Sequence, residues 1–104
     1  MLEFTDANFQ SQVVSAEKLT LVDFSAPWCV YCKQTKPLVE EAAKKYAGKV
    51  QIGKLEVDDN PNITAYYNIT SLPTILFIKN GKVVDQLIGV YSKSKLLDLI
   101  NIHM

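Results

Sequence analysis

Two cysteines, Cys29 and Cys32, stand three residues apart in the segment Ala26-Pro27-Trp28-Cys29-Val30-Tyr31-Cys32-Lys33. A strand gives way to a helix there, which places Cys29 at or near the helix N-terminus. Free backbone N–H groups and the positive end of the helix dipole stabilise an anion at that point, lowering the thiol pKa and raising the thiolate fraction. Three residues on, Cys32 comes round within bonding distance but lies further into the protein. The chemistry this spacing supports is thiol-disulfide exchange, with Cys29 attacking and Cys32 resolving. Half of a structural metal site is the competing reading. Such a site usually needs four ligands, and His103 is the one other strong nitrogen or sulfur donor in the chain.

Asp23 interrupts the apolar run Leu21-Val22-Asp23-Phe24. If the strand is covered on both faces, desolvation raises the pKa of this carboxyl, and it can accept the Cys32 proton directly or through a water. Lys54, on the next strand, is then its ion partner and partly opposes that shift. On a half-exposed strand both residues are ordinary polar positions. Trp28 is either a rim residue beside the thiol or a core aromatic. Pro37 reads as structural, Tyr66 and Tyr67 as packing residues, and His103 as uninvolved near a fraying terminus.

The elements that must position these groups follow from local pattern. Thr5 caps a first helix of about ten residues with Phe9, Val13 and Val14 on its apolar stripe. Thr20 to Ser25 is a strand, Cys29 to Tyr46 a helix with Leu38, Ala42 and Tyr46 on one face, and Gly48 ends it. Val50 to Val57 is the next strand, and the helical connection makes this pair parallel, a β-α-β unit. Asn60 reads as an N-cap with Pro61 at the first helical position, opening a short helix toward Tyr67. Thr74 to Lys79 and Lys82 to Ile88 flank Asn80-Gly81, a type I′ hairpin signal that makes these strands antiparallel. Ser92 caps a last helix to about Ile102, with Leu96, Leu99 and Ile100 facing inward.

A chain of 104 residues accommodates one domain, residues 1–104, with one apolar core. Apolar residues make up 48% and charged residues 21%, a globular balance far from the signature of disorder. Eleven basic and eleven acidic residues give zero net charge, so no global field steers the chain toward nucleic acid or anionic lipid. The opening Met1 to Asp6 carries acids where a secretory signal carries bases, and Ile75 to Ile78 is far below the roughly 20 apolar residues of a membrane span. The chain reads as soluble, cytoplasmic and monomeric. In that compartment a cysteine pair is not a structural staple, because thiols are kept reduced there.

Thr20 to Pro37, with Trp28 before the first cysteine and Pro37 five residues after the second, resembles the active-site segment of the thioredoxin family. The likeness extends over nearly the whole chain, through Asp23, Lys54, Ser71-Leu72-Pro73-Thr74, Asn80-Gly81 and Gly89. It implies an α/β thioredoxin fold, a central mixed five-stranded sheet flanked by about four helices. It also implies a cis Leu72-Pro73 peptide facing the cysteines, a Leu72 backbone that pairs with an extended substrate strand, and a docking surface that includes Trp28, Val30, Tyr31, Pro73, Gly89 and Val90. The partners implied are disulfide-containing proteins and, as electron donor, a flavin-dependent thioredoxin reductase drawing on NADPH, with glutathione or a ferredoxin-linked enzyme as the alternative donors. No metal or tightly bound organic cofactor is needed.

Two positions depart from the family. Val30-Tyr31 replaces the usual Gly-Pro between the cysteines, and Ser25 stands where an aromatic residue is common. Proline lacks an N–H, so Tyr31 restores a donor that can reach the Cys29 thiolate. A hydrogen bond to a charged group contributes roughly 1.5 to 3 kcal/mol, equivalent to about 30 to 60 mV for two electrons. The expectation is a pair more oxidising than about −270 mV, toward glutaredoxins. A glutaredoxin-like exchange protein and a non-catalytic binding module that uses the same docking surface are the alternatives.

Overall fold

A computed structural model describes residues Met1–Met104. Its sheet is built outward from β2 (Thr20–Ser25), which pairs parallel with β3 (Gln51–Glu56) and antiparallel with β4 (Thr74–Lys79). With β1 (Leu2–Glu3) on the far side of β3 and β5 (Lys82–Ile88) beyond β4, the strand order is β1-β3-β2-β4-β5. Three α-helices, α1 (Val30–Lys45), α2 (Pro61–Tyr66) and α3 (Lys93–His103), and a shorter helical segment at Gln10–Val14 complete the chain. This is the mixed five-stranded sheet with four helices expected from the resemblance.

Because side chains alternate across a strand, β2 feeds two cores. Leu19 and Leu21 join Val39, Ala42, Phe77, Leu96 and Ile100 in the larger cluster, which α1 and α3 help to form. Val22 and Phe24 join Phe4, Phe9, Val13 and Leu55 on the opposite face. Asp23 falls on the Leu21 side, in the layer covered by α1. That placement decides its chemistry.

Several local expectations hold. Asn80 and Gly81 both take positive φ (53° and 78°), as a type I′ turn requires. Ser92 caps α3 by accepting from Lys95 N–H at 3.1 Å, and Leu96, Leu99 and Ile100 are buried. Pro37 lies inside α1.

Others are corrected. The first helix is shorter than ten residues: Thr5 and Asn8 exchange side-chain to backbone bonds, and the chain then closes in wide π-type turns, with Ser15 N–H donating to the Gln10 carbonyl at 3.0 Å. His103 is not frayed; Nε2 lies 2.9 Å from Asp85 Oδ2, and Lys79 Nζ donates to the His103 carbonyl at 3.0 Å. This His103 bond is the main reason the Asp85 carboxyl lies below its usual range. Tyr67 packs against Phe9, whereas Tyr66 is exposed with its ring edge-on to Tyr67.

Two features have no local signal. β1 pairs with β3 through Leu2↔Gly53 and Glu3↔Lys54, and a Cβ on Gly53 would sit 2.6 Å from the Phe4 ring and 2.8 Å from the Leu2 carbonyl oxygen. Only glycine lets this strand approach so closely. At α2, Asn60 occupies the cap position without capping, and the Asp6 carboxylate accepts from Asn62 N–H (3.1 Å) and Ile63 N–H (2.9 Å) instead. The Asn60 amide holds that arrangement by accepting from Asp6 N–H and donating to the Glu56 carbonyl. Asp6→Ala should therefore behave as the loss of a helix cap and lower stability by about 1–2 kcal/mol in urea unfolding; a smaller effect than an exposed substitution gives would refute the capping role.

Candidate active site

α1 begins where β2 runs out, and Cys29 is its N-cap, in extended conformation (φ −85°, ψ 109°). Its Sγ accepts from Cys32 N–H at 3.2 Å, so a backbone donor of the first helical turn points at the Cys29 sulfur. Cys29 and Cys32 form a disulfide with Cα atoms 5.3 Å apart. They are 6% and 7% exposed and cluster with Ala26, against which Val57 and Leu72 pack. The donor expected from Tyr31 is not the one used. In this disulfide form the N–H that reaches Cys29 Sγ is that of Cys32.

Exposed apolar side chains flank the cysteines in the chain. Trp28 is 66% exposed, which rules out the core reading, and its Nε1 donates to Asp58 Oδ2 at 2.8 Å. Val30, Tyr31 and Val90 are also exposed. The Leu72-Pro73 peptide is cis, and Gly89 N–H donates to the Pro73 carbonyl at 2.8 Å. No heavy atom lies within 4 Å of where a Cβ on Gly89 would stand, so the surface beside Pro73 is open. Leu72 N–H and C=O make no hydrogen bond within the protein.

Asp23 is 6% exposed, and its Oδ1 has no hydrogen-bond partner. Burial pushes its carboxyl from an ordinary 3.8 up to about 7, and the Lys54 charge opposes this. Lys54 faces Asp23 in the β2–β3 register but is exposed and forms no ion pair with it, so the expected partner acts through space. A cavity of about 200 Å³ is bordered by Asp23, Cys32, Lys54 and Lys36, so the carboxyl and Cys32 share one opening. Sequence reasoning missed Asp58, Thr35 and Tyr91. Thr35 is buried one helical turn after Cys32, and Tyr91 packs into the larger core beneath it. Nothing in their local sequence marks them, because each matters through a tertiary neighbour.

A redox-active cysteine pair at a helix start, on a mixed sheet of this order, defines a thiol-disulfide oxidoreductase. A family profile described as Thioredoxin matches residues 1–102. The chain is 47% identical over 102 residues to a protein named Thioredoxin from Chlorobaculum thiosulfatiphilum, covering 98% of this chain and 94% of that one. It is 44% identical over 104 residues to Thioredoxin from Haemophilus influenzae (100% and 97% covered), and 41% identical over 102 residues to Thioredoxin M-type, chloroplastic from Spinacia oleracea (98% and 56%). The chain belongs to the thioredoxin family.

The buried carboxyl makes stability pH-dependent. With the folded pKa near 7 and the unfolded one near 3.8, the folded state holds a proton that the unfolded state releases between these values. The contribution is fully present below about pH 4 and is lost as pH rises through 7. Asp23→Asn should flatten this dependence and stabilise the oxidised protein at pH 8 by about 2–4 kcal/mol in urea unfolding; a variant no more stable than the parent at pH 8 would contradict the burial account.

Proposed function

We propose that the protein reduces disulfides in other proteins, with Cys29 as nucleophile, Cys32 as resolving thiol and Asp23 as the base that deprotonates Cys32. The observation that carries this reading is the shared cavity joining Cys32 to a buried carboxyl whose pKa is about 7. At that value both protonation states are populated at neutral pH, the condition under which one group serves as base and then as acid.

In the first step the Cys29 thiolate attacks one sulfur of the substrate disulfide, forming a mixed disulfide and releasing the other substrate sulfur as a thiolate. Asp23 then takes the Cys32 proton, and Cys32 attacks Cys29 Sγ. The Cys29–Cys32 bond forms, the second substrate thiolate leaves, and two electrons have passed to the substrate. Lys54 keeps Asp23 from being so weak an acid that it never ionises near neutrality.

Docking falls to the rim. The unpaired Leu72 N–H and C=O serve an extended substrate backbone as a strand edge does, and Trp28, Val30, Tyr31, Pro73, Gly89 and Val90 supply apolar contact around it. The family resemblance supports a flavin-dependent thioredoxin reductase as the electron donor, and a cytoplasmic role in electron transport and redox homeostasis as a monomeric single domain. No helix is long and apolar enough to cross a membrane.

Insulin disulfide reduction tests the assignment. Cys29→Ser should abolish it, and Cys32→Ser should accumulate a mixed disulfide through Cys29. Asp23→Asn should slow the release of substrate from that mixed disulfide by about 10²-fold at pH 7. Resolution at the parent rate in Asp23→Asn would remove the base, and reduction that persists in Cys29→Ser would remove the nucleophile.

A further inference from the structure

Two buried polar atoms in this protein have no hydrogen-bond partner, Asp23 Oδ1 and the Tyr91 hydroxyl. They lie in the same layer. Asp23 shares the sheet face of Leu19 and Leu21, and its register neighbour on β4 is Ile75, which pairs with Leu87 on β5. The chain leaves β5, turns at Gly89 and returns Tyr91 into the core that contains Leu21, Ile75 and Leu87. Tyr91 therefore comes in beneath α1 on the side where the Asp23 carboxyl sits. Burial first and the Asp23 charge second push the Tyr91 phenol far above its usual range, as expected of two groups in one buried layer.

Thr35 closes the arrangement from above. Its hydroxyl acts against the other two effects by lowering the Tyr91 pKa, and it donates to the Tyr31 and Cys32 carbonyls at 3.4 and 3.2 Å; no atom stands in hydrogen-bond geometry with the phenol oxygen. A phenol that remains protonated is a donor, and a carboxylate is an acceptor. Unpaired groups of this kind are rare in native interiors, and two complementary ones in one layer call for a common explanation.

We propose that Tyr91 is a positioning residue for Asp23: its hydroxyl donates to the buried carboxylate, across at most one water, and so stabilises the ionised form that takes the Cys32 proton. The inference rests on the reading of Asp23 as the base. The other groups facing Asp23 are Lys54 and Glu56 from β3, Cys32, Lys33 and Lys36 from α1, and the Met1 amino terminus across the cavity. Of these, Lys54 is the cation opposite Asp23 in the strand register, and it approaches from the solvent side. Tyr91 is the donor on the closed side.

Tyr91→Phe keeps the ring and removes the donor. With aspartate carboxyl carbons labelled with 13C, and the Asp23 signal assigned by its loss in Asp23→Asn, NMR titration of the oxidised protein gives the Asp23 midpoint. Tyr91→Phe should raise that midpoint by about one pH unit. An unmoved or lowered midpoint overturns the proposal. In the unmodified protein the Tyr91 ring-carbon shift beside the hydroxyl should inflect at the same midpoint, an inflection absent from Asp23→Asn. Its absence from the parent would overturn the proposal without any variant at position 91. The pH profile of mixed-disulfide resolution separates this inference from the one beneath it. If both hold, the profile moves upward with the carboxyl, so that Tyr91→Phe is about three- to fivefold slower at pH 7 and matches the parent near pH 9. If the carboxyl midpoint moves while the rate profile stays, the Tyr91–Asp23 bond stands and the base assignment falls.

Discussion

The chemistry of this protein depends on a single constraint, the complete enclosure of β2. Both its edges are bonded, to β3 and β4, and both its faces are packed. Any ionisable group on such a strand is cut off from bulk water and loses hydration in its charged form. Asp23 occupies that position, and the cavity beside Cys32 is the opening on its side of the sheet. Burial thereby moves the Asp23 carboxyl from the ordinary acid range up to about 7.

The same strand sets the sulfur geometry. β2 ends at Ser25, and the short turn through Ala26-Pro27-Trp28 delivers Cys29 to the cap of α1, where a helix has donors to spare. Cys32, one turn later, is aimed back at the layer that contains Asp23. The two cysteines are thus separated by one helical turn, and they and Asp23 are located by one strand and the turn that follows it. Catalytic groups on a scaffold of this kind need little reorganisation when the second thiol attacks.

Around this buried pair the protein leaves apolar surface uncovered. Trp28, Val30 and Tyr31 flank the cysteines in the chain, and Val90 follows Gly89, which bonds to Pro73; all four side chains are exposed. The Trp28–Asp58 bond anchors the largest of these side chains at its polar edge, so its apolar face stays available. Gly89 leaves open space next to Pro73, and the free backbone groups of Leu72 lie alongside.

Periodicity and local chemistry in the sequence were sufficient for the long elements. Short runs of strand-forming residues on either side of Asn80-Gly81 marked β4 and β5, that pair marked their turn, Ser92 marked the start of α3, and the cysteine spacing marked the reactive turn; each of these depends on residues within one or two turns of one another. Tertiary structure alone decided what depends on distant partners. It supplied β1, too short for any period, and the cap of α2, which comes from Asp6 across 56 residues of chain. It also decided that Cys32 rather than Tyr31 donates to Cys29, and that Lys54 faces Asp23 without pairing to it. Tyr91 became visible only because the fold places a phenol and a carboxyl in one dry layer, where desolvation makes each sensitive to a neighbour that no sequence window contains.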